Sequence, residues 1–112
     1  MSGSTRELPA GSVAVIFVSR RTALDEERYV KAAARMVEQA SEQAGFLGFD
    51  SARDPHGDGL TISYWESEAH ALAWKDHVEH RAIQSLGHER WYESYALHVA
   101  TIDRSRSWSR ED

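Results

Sequence analysis

Two tryptophans and a histidine lie close together in the second half of the sequence, where they could serve a planar ligand. Trp65 ends a segment with strand-like alternation, and Trp74 follows nine residues later in a segment with helical spacing. Large aromatic side chains can stack on a flat substrate or on haem, and the alternative is core packing. His80 flanks an apolar stripe and could act as an acid, a base or an axial ligand. The alternative for His80 is a surface position.

Several polar side chains in the same half of the chain could hold a negatively charged oxygen. Charged and hydroxyl donors in a dry pocket give the largest electrostatic stabilisation of an oxyanion. A surface salt bridge is the alternative for each arginine. With Trp65 as the stacking residue, the predicted substrate-binding set is Tyr64, Trp65, Gln84, Arg90 and Tyr92, and Arg81 is a weaker candidate.

Metal binding and nucleophilic catalysis have little support. His77 and His80 are three residues apart and could share a helix face with Asp76, but an Asp at that position also suits a helix N-cap. His98 lies among apolar residues of the last predicted strand, which is typical of an interface. The sequence has no cysteine, phosphate-binding loop, nucleophile elbow or HExxH motif. We therefore predict no metal ligands.

Composition restricts the class of protein further. The 112 residues are 41% hydrophobic and 28% charged, which is typical of one folded domain. A net charge of −5 argues against a nucleic-acid partner. No segment approaches the roughly 18 apolar residues of a membrane span, and no signal peptide is evident, so we expect a cytoplasmic protein without a membrane partner. We expect a domain at 12–104 between flexible segments at 1–11 and 105–112.

Hydrophobic periodicity predicts the elements that must position these side chains. A Val- and Ile-rich strand comes first, then an amphipathic helix that stops at Gly45, a hairpin around DPHGDG, two short helices and a last strand. Asp76 and Glu79 would interrupt the apolar stripe of one long helix, so we predict a break at Asp76. The bounds are 12–19, 25–44, 46–53, 60–65, a helix capped by Ser67, a helix from Asp76 to Gly87, and 92–102.

This order predicts an α+β ferredoxin-like sandwich, in which helices cover one face of a four-stranded antiparallel sheet. The first strand is apolar on both faces, with Val13, Val15 and Phe17 on one side and Ala14, Ile16 and Val18 on the other. A second apolar face exposed to water exceeds what monomers usually tolerate. We therefore predict a homodimer through the sheet, which Val15→Asp would disrupt if Val15 faces the partner.

Four segments carry a resemblance to a known family. They are VAVIFVSRR, GFLGFDSARD, ISYWESEAHALAWK and EHRAIQSLGHERWYESY, and they extend the likeness over about 12–102. In these segments the chain resembles the antibiotic biosynthesis monooxygenase family of dimeric α+β barrel proteins. The resemblance implies that two ferredoxin-like subunits pair their sheets into a barrel, with a pocket between sheet and helices in each.

The resemblance also implies three functions. The first is cofactor-independent oxidation of a small aromatic or quinol-type compound by dioxygen, with Trp74 and His80 as catalytic residues. The second is haem binding or haem degradation through the same two residues, although those relatives have an Asn on the first strand, where this chain offers Ser19. The third is a dimer that binds a small ligand without catalysis. Polar side chains in the pocket would favour catalysis over binding alone.

Overall fold

A computed structural model describes residues 7–84 and 91–110. The fold is the predicted α+β ferredoxin-like sandwich, with two helices on one face of a four-stranded antiparallel sheet. No helix in the described ranges is long and apolar enough to span a membrane. The elements are β1 (Val13–Arg21), α1 (Glu26–Ser41), β2 (Phe46–Arg53), β3 (Asp58–Trp65), α2 (Glu68–Gln84) and β4 (Tyr92–Thr101).

The sheet has the strand order β2-β3-β1-β4, so β1 and β3 lie in the centre and β2 and β4 at the edges. Along β1, Val15 pairs with Ser63 on one side and with Val99 on the other. The next row joins Ile16 to Ile62 and His98. Because side chains alternate along a strand, these two rows point to opposite faces.

The core lies between the helices and one face of the sheet. Val13 and Val15 of β1 are each 3% exposed and belong to a buried cluster with Trp65 and Trp74. Val15 therefore faces the helices, so Val15→Asp would damage the core rather than report on a partner. The opposite face, which we call the open face, includes Ala14, Ile16 and Val18 of β1, Leu60, Ile62 and Tyr64 of β3, Asp50 of β2 and Ala96, His98 and Ala100 of β4.

The predicted break at Asp76 is wrong, because α2 runs through this residue as one helix. The buried side of α2 consists of Ala71, Trp74 and Val78, at the i, i+3 and i+7 spacing of a helical stripe. The prediction had placed Leu72 in this stripe, but Leu72 is 42% exposed. With the stripe shifted, Asp76 points away from the core, and its side chain is 77% exposed. It therefore interrupts nothing.

The ends of the helices differ less from the prediction. Ser67 precedes α2, and its Oγ accepts a hydrogen bond from the backbone N–H of His70, as expected for an N-cap. Helix α1 ends at Ser41, three residues before the predicted Ala44, and the chain turns through Glu42. Gly45 then adopts a φ of 82°, a left-handed conformation that favours glycine, and β2 begins.

Candidate active site

A cavity of about 640 Å³ lies between α1, α2 and the helix-covered face of the sheet. Helix α1 turns small side chains such as Ala32, Ala33 and Ala40 toward the sheet, which leaves space above the strands. The other apolar lining residues are Val15, Phe17, Met36, Val37, Phe49, Trp74, Val78 and Leu97. A cavity of this size and character suits an apolar, ring-containing small molecule.

Hydroxyl groups interrupt the apolar lining on the floor of the cavity. Ser51 of β2 pairs with Thr61 of β3, and Ser63 follows two residues later on the same face. The Ser63 hydroxyl already accepts a hydrogen bond from Trp65 Nε1 at 2.9 Å. Ser51 and Thr61 therefore offer a second polar position on the floor, in addition to the charged end described next.

One end of the cavity is built around the ring of Tyr29, which lies on the first turns of α1. The guanidinium carbon of Arg21 lies 3.5 Å from the centroid of this ring, and that of Arg53 lies 4.6 Å from it. Both distances are within the range of cation–π attraction. Arg53 also donates a hydrogen bond from Nη2 to the Tyr29 hydroxyl. Two cations and a phenol therefore meet at this end.

Arg21 is a structural cation with fixed partners. Its side chain is 3% exposed and forms an ion pair with Glu26 at 2.9 Å. It also donates hydrogen bonds to the backbone carbonyls of Leu24 and Trp91, at 3.1 Å each. These contacts join the end of β1, the start of α1 and the start of β4, and they use most of the donors of one guanidinium. Arg21 therefore shapes the site and has little capacity left for a ligand.

Arg53 differs from Arg21 in charge compensation. Within residues 7–84 and 91–110, no carboxylate lies close enough to Arg53 to form an ion pair. Its contact in the site is the neutral hydroxyl of Tyr29. Since a guanidinium carries five N–H donors, Arg53 can bind an additional acceptor. The arginine is solvent-exposed at the rim of the cavity, where an anionic group of a ligand could reach it.

Tyr92 completes the polar end and remains a neutral donor. Burial raises the pKa of its hydroxyl strongly, and the neighbouring hydroxyl of Tyr29, to which it is hydrogen-bonded, raises this pKa further. The ring of Tyr92 packs edge-on against Phe17, with the centroids 5.4 Å apart. Trp91 lies beside it, and its ring is edge-on to Tyr29 at 5.8 Å. Aromatic rings therefore surround the polar groups and shield them from water.

Of the residues predicted from the sequence, Trp74 and Tyr92 line this cavity. Trp65 is 0% exposed and contacts Phe46 and Trp74 through its ring, so the structure places it in the core. Tyr64 lies on the open face and donates a hydrogen bond to Asp50 Oδ2 at 2.8 Å. The structure thus places neither Trp65 nor Tyr64 among the lining residues.

The predicted histidine lies apart from the cavity, since His80 is exposed and is not among the lining residues. His77 instead stacks on the ring of Trp74, with the centroids 5.0 Å apart. In the part of the chain that the structure describes, no three His, Asp or Glu side chains are grouped as metal ligands would be. The side chains of Arg81, Gln84 and Arg90 lie outside the described residues.

The sequence interpretation overlooked Tyr29 and Arg53. Tyr29 was counted as one apolar position of the α1 stripe, although it is the one member of that stripe with a hydroxyl group. Arg53 was treated as the last residue of a strand, yet it shares a face with Phe49 and Ser51 by simple alternation. A charged residue at an inward-facing strand position was therefore the signal that could have revealed this end of the site.

Comparison with known proteins agrees with this architecture. Residues 12–86 match the sequence model of the family described as antibiotic biosynthesis monooxygenase. The uncharacterized protein YqjZ from Bacillus subtilis (strain 168) is 46% identical over 93 residues, which cover 83% of this chain and 81% of YqjZ.

Two solved structures share the fold at low identity. One is PA3566 from Pseudomonas aeruginosa, with a TM-score of 0.63 and 20% identity over 82% of this chain and 94% of that chain. The other is SnoaB from Streptomyces nogalater, a cofactor-independent oxygenase, with a TM-score of 0.65 and 15% identity over 85% and 96%. The family match covers more than half of the sequence, and YqjZ is closely similar over most of both chains. The chain therefore belongs to the antibiotic biosynthesis monooxygenase family.

Proposed function

We propose that this protein is a monooxygenase that binds a phenol or hydroquinone as its anion and oxidises it with dioxygen, without a tightly bound cofactor. The observation that carries the proposal is Arg53, a guanidinium without an ion-pair partner among the described residues, at the end of an apolar cavity. The relation to SnoaB supports the cofactor-independent form of the reaction.

The site divides the substrate into two parts. The apolar walls around Trp74 and Phe49 accept the aromatic rings, since burying apolar surface contributes about 25 cal/mol per Å². The phenolate oxygen lies at the polar end, where Arg53 and the neutral hydroxyl of Tyr92 donate hydrogen bonds to it. Fixed donors in a low-dielectric pocket stabilise an anion far more than water-exposed donors do.

The reaction needs no reductant, because the substrate supplies both electrons. The phenol first loses its O–H proton to solvent at the exposed rim. The ring carbon then reduces dioxygen in two one-electron steps, and a carbon–oxygen bond forms to give a peroxide. Protonation of the peroxide, loss of the C–H proton and cleavage of the O–O bond yield a quinone and water. One oxygen atom enters the product and the other leaves as water.

Haem chemistry has less support from the described residues. Trp74 lines the cavity, but His80, the proposed axial ligand, is exposed and does not line it. Simple ligand binding is also less favoured, because Arg53, Tyr92 and the floor hydroxyls of Ser51 and Thr61 are polar groups within the cavity lining. Such groups are expected where charge develops during a reaction.

Oxygen uptake over a panel of phenols and hydroquinones tests this function directly. We expect turnover of at least one fused-ring phenol, with one dioxygen consumed per quinone formed and no dependence on added metal, flavin or nicotinamide. The value of kcat/KM should fall as the pH drops below the pKa of the substrate itself. Absence of uptake across the panel, together with a saturable Soret shift on haem titration, would replace this proposal by haem binding.

We also propose that the protein functions as a homodimer through the open face. Both helices lie on the other side of the sheet, and Val18 and Leu60 of the open face are 42% and 38% exposed. With Ile16 and Ile62 beside them, they form an apolar surface across the two central strands. Covering such a surface with a second copy is strongly favourable.

Val18→Asp is expected to convert the dimer into a monomer, because a carboxylate would be buried without a partner in the interface. Val30→Asp is the matched control, since Val30 is 54% exposed on α1, far from the open face. Sedimentation velocity of both variants and of the unmodified protein measures the effect. An unmodified protein that sediments as a monomer at micromolar concentration would contradict the proposed dimer.

A further inference from the structure

We propose that, in this sheet-to-sheet dimer, the two-fold axis runs parallel to the strands, so that His98 of each copy contacts Asp50 of the other. This inference rests on the dimer proposed above and adds its orientation and the polar contacts that determine it. It concerns a surface on the side of the sheet opposite the cavity.

One row of the open face carries the argument. Asp50 of β2 pairs with Ile62 of β3, Ile62 pairs with Ile16 of β1, and Ile16 pairs with His98 of β4. A carboxylate and an imidazole thus lie at opposite edges of the sheet, at the same height, with two isoleucines between them. His98 is exposed within the chain and has apolar neighbours, Ala96 and Ala100, on its own side of the strand.

The other charged groups of this face have partners within the chain. Arg20 forms ion pairs with Asp58 at 2.8 Å and with Glu93 at 3.5 Å, near one end of the sheet. Asp50 Oδ2 accepts one hydrogen bond, from the Tyr64 hydroxyl. A carboxylate has about four lone-pair positions, so Asp50 can accept a further donor. Asp50 and His98 are therefore the groups of this face with capacity for a second copy.

Symmetry restricts how two such faces can meet. In a two-fold dimer the same patch is used by both copies, so every contact occurs twice. If the axis lies across the strands, β2 faces β2, and the two Asp50 carboxylates oppose each other. If the axis lies along the strands, β2 faces β4, and each Asp50 meets a His98. Like charges opposite each other are unfavourable, whereas an acid and an imidazole attract, so the second arrangement is preferred.

Exchange of the two charges tests the orientation. We expect Asp50→Lys and His98→Glu each to raise the dimer dissociation constant at least about tenfold, since each variant places like groups opposite each other twice per dimer. The double variant Asp50→Lys/His98→Glu restores opposite charges in the proposed arrangement, and its dissociation constant should return to within about threefold of the unmodified value. Sedimentation equilibrium measures all three, and thermal unfolding checks that each is folded.

A matched control separates the contact between copies from the contact within the chain. Tyr64→Phe removes the hydrogen bond to Asp50 and leaves the carboxylate, so the dissociation constant should stay near the unmodified value. A dimer unaffected by either single variant, or a double variant weaker than both, would overturn the axis and leave the dimer intact. A monomeric unmodified protein would overturn both. The two failures are therefore distinguishable.

Discussion

Arg53→Met is expected to lower kcat/KM for the oxidised phenol by about 10²- to 10³-fold, the usual effect of removing one oxyanion donor. Methionine keeps the length and apolar character of the arginine stem, so the aromatic walls of the cavity remain. What is lost is the cation that holds the substrate as its anion. The binding constant of a phenolate inhibitor, measured by fluorescence, should weaken in parallel, while that of a methyl ether of the same compound should change little.

Arg20→Met is the matched control for this substitution. Arg20 also lies on a strand near the end of the sheet, but it points to the open face and pairs with Asp58. Its loss should leave kcat/KM within about twofold, since exposed ion pairs contribute little. Arg53→Lys should recover part of the activity, because a lysine retains the charge and loses the geometry of the fork. Full activity in Arg53→Met would remove the basis of the proposed function.

Trp65→Ala is expected to reduce the free energy of unfolding by about 3–5 kcal/mol, the usual cost of removing a large aromatic side chain from a core. Trp65 is 0% exposed and packs between Phe46 and Trp74, so little can collapse into the cavity that remains. The substitution also leaves the Ser63 hydroxyl without its donor. Urea denaturation followed by circular dichroism measures the change.

Trp108→Ala serves as the control, because Trp108 is 75% exposed and its removal should change stability by less than about 0.5 kcal/mol. Trp65→Phe should be folded and should retain activity if Trp65 acts only through packing. A large loss of kcat in folded Trp65→Phe, without a loss of stability, would instead return Trp65 to the substrate-binding residues that the sequence predicted.

The periodicity of the sequence was sufficient to predict the fold class. Alternation along β2 and β3 and the 3.6-residue stripe of α1 are properties of the local backbone, and they are visible in the residue types alone. The order of the elements then left few arrangements that bury every apolar face. The error at Asp76 arose because Leu72 was assigned to the wrong side of a helix, a choice that depends on what α2 packs against.

The candidate site depended on contacts that no local pattern contains. Tyr29 and Arg53 are 24 residues apart, and they meet because α1 crosses the sheet above β2. Likewise β1 is apolar on both faces, and only the position of the helices decides that Val15 is core and Val18 is surface. The residue types and spacing of this chain determined its secondary structure, its fold class and the two apolar faces of its sheet. Which face forms the cavity, and which polar groups gather at its end, was decided by tertiary packing, because contacts between distant segments exist only in the folded chain.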